Sequence, residues 1–190
     1  MDIALPSRVK FGIGADATES YSYSNRFQLD EANDGTERIV LGPAAAHVHL
    51  LSELANCLPE PFHVLYVLVV PRSRTYKAAR YEAPDELSRQ ELSDFLLEFT
   101  EYLEFDGRHH LWIANADHGT LVYDRHNILY GYGPLDCYAK VALSQGLQPG
   151  KVEVPGPHWH AYHPEYDVAQ DRLLSRWGWL EKPLRSTDEA

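Results

Sequence analysis

The chain has 190 residues, 44% of them hydrophobic, which suffices to bury one core and argues against disorder. Its formal net charge of -11 repels phosphate backbones, so nucleic acid is a disfavoured partner. The longest apolar stretch, Val64 to Val70, is too short to cross a bilayer, and Met1 to Pro6 lacks the basic and apolar pattern of a signal peptide, so no membrane role is expected.

In chain order, residues 8–13 alternate and predict a first strand. The Ser-, Asn- and Asp-rich stretch from Asp16 to Thr36 reads as a long loop with a short strand near Arg26 to Leu29, followed by a strand over Glu37 to Leu41. Pro43 suits the first turn of a helix, because its missing N–H would be unpaired there, and that helix runs to Leu58. Phe62 to Val70 is continuously apolar and predicts a central strand. Arg72 to Tyr81 is the one basic stretch and reads as a solvated loop able to meet an anion.

Ser88 and Glu91 form a capping box. Leu92, Phe95, Leu96, Phe99 and Leu103 follow as an apolar stripe of helical period, which Asp106-Gly107 ends. Glu98, Glu101 and Glu104 fall on what reads as its solvated face. Three short alternating segments over residues 109–132 predict a meander. Helices are expected from Gly133-Pro134 to about Gln145 and from Pro164 to Leu180, with an extended stretch between them. The polar tail over residues 183–190 is expected to fray. Strands beside strands, without strict alternation with helices, predict one α+β domain over residues 1–190. It holds a mainly antiparallel sheet carrying roughly four helices.

Candidate chemistry gathers in the C-terminal half. In Pro157-His158-Trp159-His160-Ala161-Tyr162-His163, His158 and His160 sit two apart on extended chain, so both face one side about 7 Å apart. Two imidazoles on one face can chelate a divalent transition metal such as zinc, with His163 or Asp167 completing the set. A second group lies in the meander: His109, His110, Asp117, His118, Asp124 and His126. Spacing alone does not say whether the two groups meet.

Cys57 and Cys137 lie far apart without a C-x-x-C spacing, which reads as the thiol usage of a reducing compartment and places the chain in a bacterial cytosol. Asp136-Cys137 opens a helix, where a thiol is acidified. With a following Gly-rich turn and a His-bearing strand, this segment resembles the NlpC/P60-type cysteine peptidases of the cell wall. That resemblance implies Cys137 as nucleophile and His158 or His160 as base. Tyr138 departs from the small residue usual after that cysteine. The wider run from Leu92 through Asp106-Gly107-Arg108-His109-His110-Leu111-Trp112-Ile113 and Leu121-Val122-Tyr123-Asp124 to Tyr162 resembles small acidic bacterial proteins described as hypothetical, which implies no activity.

Walker A, GxSxG and HExxH patterns are missing. The leading expectation is a non-enzymatic protein-binding module, such as an immunity or antitoxin-like inhibitor that meets a basic protein partner. The alternatives are a metal-dependent enzyme built on His158 and His160, and a cysteine hydrolase built on Cys137. The sequence sets no oligomeric state.

Overall fold

The computed structural model describes residues 9–14, 19–72 and 74–188; Arg8, Asp16 to Thr18 and the last two residues of the expected tail lie outside them. The fold is α+β, as expected. Among the described residues the strands are β1 (Phe11–Ile13), β2 (Glu19–Ser20), β3 (Arg26–Glu31), β4 (Glu37–Gly42), β5 (His63–Leu68), β6 (Ala79–Glu82), β7 (His109–Asn115), β8 (Gly119–Tyr123), β9 (Leu129–Tyr132), β10 (Gln148–Pro149), β11 (His158–His160) and β12 (Leu180–Lys182). The helices are α1 (His47–Ala55), α2 (Arg89–Phe105), α3 (Leu135–Ser144) and α4 (Asp167–Arg176).

Nine strands form one sheet in the order β10-β3-β4-β9-β8-β7-β5-β6-β12, antiparallel except for the β10–β3 pair. The expected meander is its centre. Alternation divides the side chains between two faces. Ile39, Leu41, Tyr66, Leu111, Ile113, Leu121, Tyr123 and Leu129 join the main core with Leu51 and Leu54 of α1, Phe95 and Phe99 of α2, and Tyr138 of α3. Val40 and Ile128 point the other way, into a smaller cluster with Phe11, Tyr23 and Val152. A three-stranded sheet, β11-β1-β2, brings Phe11 to that second face.

Several elements differ from expectation. β3 extends to Glu31 and pairs with β4 along its whole length, so the expected loop is half of a hairpin. α1 starts at His47 rather than Pro43. Ala46 before it is left-handed at φ 56° and supplies no side-chain cap. The carboxylate of Glu104 on α2 accepts from Val48 N–H at 2.8 Å in its place, so Glu104 is no mere surface charge. The capping box of α2 is present as expected. α4 ends at Arg176, short of the expected Leu180, and Leu180–Lys182 pairs with β6.

The basic stretch is not a free loop. Residues from Ala79 enter β6, and Arg72, Lys77 and Arg80 meet Asp167, Glu181 and Asp188. The Arg80–Asp188 pair is buried at 2.6 Å and ties down the tail that was expected to fray.

Candidate metal centre

β11 runs antiparallel to β1, with Phe11 opposite His160 and Ile13 opposite His158. Gly12 makes that approach physical: a Cβ there would lie 2.3 Å from the Trp159 ring. The expected parity holds, since His158 and His160 share a side and their ring centroids are 5.5 Å apart.

The stretch after β11 is bolted to the end of α2. Ala161 donates its N–H to the Lys10 carbonyl at 3.0 Å and accepts from Gly107 N–H at 2.8 Å. Asp106, fully buried, accepts from His163 N–H at 2.9 Å and from Arg108 Nε at 2.6 Å. Arg108 in turn donates to the His163 carbonyl at 3.1 Å. A buried charged pair is costly to desolvate, and here the two are satisfied by each other, by this segment and by Asp167 and Gln170 of α4, which holds β11 in place.

The third member comes from the turn between β8 and β9. Asp124 organises it: Oδ1 accepts from the N–H groups of His126 at 2.8 Å and Ile128 at 2.9 Å. Asn127 takes φ 61°, a left-handed conformation that Asn tolerates. Its side chain accepts from Tyr123 Oη–H at 2.7 Å. The turn therefore presents His126, largely buried, toward β11. Its ring lies 5.0 Å from that of His158 and 4.8 Å from that of His160, centroid to centroid. Phe11 packs against all three rings.

One ligand atom each from His126, His158 and His160 falls within 4.8 Å of the others. Their protonation geometry suits a cation. His126 donates from Nδ1 to Asp124 Oδ2 at 3.0 Å, leaving the Nε2 lone pair free. His158 donates from Nδ1 to the Pro155 carbonyl at 3.2 Å and is left in the same tautomer. His160 Nδ1 is shielded from water and has no hydrogen-bond partner. Burial, with Arg125 and the other two histidines adding to it, pushes the His160 imidazolium down to about 3, so the ring is neutral at pH 7. Hydrogen bonds oppose burial at Asp124 and hold its carboxyl below the usual range.

The two sequence groups thus meet, but through a residue that spacing did not single out. His163 is not in the cluster. It follows the end of β11 on the opposite parity, and its Nε2 faces the Val9 carbonyl at 2.8 Å. Asp167 is committed to Arg72 and Arg108. Among the other histidines, His109 is buried between Tyr66 and Tyr102, and His118 is bound to Asn115. His110 is buried on the sheet face opposite the main core. Arg125 and the orienting role of Asp124 were missed. The available signal was an Asp-x-His pair in a turn.

Cys137 requires a correction. It is joined to Cys57 across 80 residues, with the Cα atoms 5.9 Å apart, linking the end of α1 to the first turn of α3. A bridged sulfur carries no thiolate and cannot open a peptide bond. The groove beside it is lined by Glu37, Asp136 and Lys140, among others, and no histidine. The expectation of unpaired thiols falls with it. Among the described residues, no helix is long and apolar enough to cross a membrane. Compared with protein-family models, curated proteins and solved structures, the chain matches none.

Proposed function

We propose that this protein binds one divalent transition ion, zinc foremost, through His126, His158 and His160, and acts as a metal-dependent hydrolase. The observation that carries this reading is the convergence of three imidazole donors within 4.8 Å, two with fixed tautomers and the third with an orphaned ring nitrogen. The Asp124–His126 pair supports it. A carboxylate holding the far nitrogen of a ligating histidine is the usual outer support of such sites. Three protein ligands leave a fourth position for water, the ligand count of hydrolytic zinc centres, where bound water ionises near neutrality. The alternative of a partner-binding inhibitor rests on net charge and on the missing catalytic motifs. The Cys57–Cys137 bridge favours an oxidising compartment over the cytosol.

The test is metal analysis of protein purified without a histidine tag and then exposed to zinc. About one equivalent is expected to survive gel filtration and to raise the melting temperature, as linkage requires. His158 is exposed, so His158→Ala should fold and lose the ion, whereas His163→Ala should retain it. Less than about a tenth of an equivalent in the parent chain, with melting indifferent to a chelator, rejects the reading.

A further inference from the structure

The charge around the three histidines selects what the open coordination position would accept. An imidazole binds a metal as a neutral ligand, so a divalent ion held by three of them keeps its full charge. Among the described residues, no carboxylate belongs to the ligand group. Asp124, the acid bonded to His126, has both oxygens turned to the 126–128 segment: Oδ1 to two backbone N–H groups and Oδ2 to His126 Nδ1.

A fixed cation stands on the other side of the balance. Arg125 immediately precedes His126, and its Nη2 donates to Tyr162 Oη at 3.1 Å, two residues beyond His160. That bond spans from the turn to the strand and so brackets the cluster. Arg125 Nε is shielded from water and has no hydrogen-bond partner. No acid is paired with its guanidinium among the contacts described. Its charge therefore adds to the ion's instead of cancelling it, and guanidinium donors suit carboxylate and phosphate oxygens.

We infer that the metal centre takes an oxyanion-bearing small molecule, a phosphate ester or a carboxylate, with one anionic oxygen on the ion and Arg125 as the residue that holds the anion. This rests on the metal-binding reading above and specifies its ligand class. Tyr162 is a positioning residue, fixing the guanidinium through its hydroxyl.

Cobalt(II) reports both steps separately, because its visible spectrum responds first to loading and then to a new ligand. The cobalt-loaded full chain would be titrated with inorganic phosphate and, in parallel, with acetate, in a buffer free of other coordinating anions. A saturable spectral change with either anion is expected, and the anion that gives it identifies the phosphate or the carboxylate class. Arg125→Gln should load cobalt in the same stoichiometry and bind that anion about tenfold more weakly, the scale of one charge-assisted hydrogen bond. Arg125→Lys, which keeps the charge, should recover part of the loss and guards against a folding defect. If cobalt does not load, the metal reading fails and this inference with it. If cobalt loads but neither anion perturbs it, or if Arg125→Gln binds the anion as the parent does, only the present inference is overturned.

Discussion

Replacing Asp124 with Asn separates the support of the metal ligand from the fold of the turn. The amide is nearly isosteric, and its Oδ1 can still accept from the N–H groups of His126 and Ile128, now 2.8 and 2.9 Å away. What changes is the second position. Oδ2 accepts a proton from His126 Nδ1 at 3.0 Å. An amide nitrogen there donates instead, which drives the ring proton onto Nε2, the nitrogen the ion requires. Loss of such a support costs about 10- to 100-fold in metal affinity, or about 1.4 to 2.7 kcal/mol. At free zinc 100 times the parent dissociation constant, the parent gains about 2.7 kcal/mol of stability from the ion. Asp124→Asn should gain only about 0.4 to 1.4 kcal/mol at the same zinc concentration. The assay is a competition titration against a chromophoric chelator, with melting of each variant compared with its own metal-free form. An affinity within twofold of the parent, in a variant that melts cooperatively, refutes the carboxylate–histidine–metal arrangement.

Two further outcomes follow from groups outside the three histidines. Burial pushes the imidazolium forms of His47 and His110 down to about 3 and about 4, so between pH 6.5 and those values the unfolded chain holds more protons than the folded one. Metal-free stability should be fullest above pH 6.5 and fall on acidification, each histidine steepening the loss by up to about 1.4 kcal/mol per pH unit; melting that stays level from pH 7 to 5 contradicts this. Reducing the Cys57–Cys137 bridge frees an 80-residue loop, which should lower stability by about 4 kcal/mol in denaturant titrations, and thiol labelling of the native protein should find neither cysteine reactive; a loss under about 1 kcal/mol, or two labelled thiols, counts against the bridge.

What was legible in the sequence was local. The α2 boundary could be read because Ser88 and Glu91 satisfy each other within one turn and the stripe behind them repeats along one helix. The alternation of the meander and the shared side of His158 and His160 were legible for the same reason. Errors fell where a distant residue decides. α1 begins late because its cap is Glu104, 56 residues on. The helical pattern reads through to Leu180, yet Trp177 leaves the helix at φ -127° and Leu180 to Lys182 pairs with β6. Asp188 is held by Arg80, 108 residues away. The parity of His163 could have excluded it without coordinates, since an odd offset from His158 turns a strand residue to the other face.

Unpartnered ring nitrogens are found at His109 and His110 as well as at His160. A folded chain ordinarily gives each buried ring nitrogen a partner, because an unpaired one costs about 1 to 3 kcal/mol. His160 Nδ1 has none, yet its strand is fixed with unusual investment: Gly12 admits the Trp159 ring, and a Cβ at Gly107 would lie 2.8 Å from the Lys10 carbonyl and 2.9 Å from His160 Cβ. The fully buried Asp106–Arg108 pair holds the chain just beyond. A segment packed this closely, with an imidazole nitrogen left unanswered beside two other rings, is what the proposed metal site would require. Asp124 divides its two oxygens, one building the turn and the other bonded to the His126 ring.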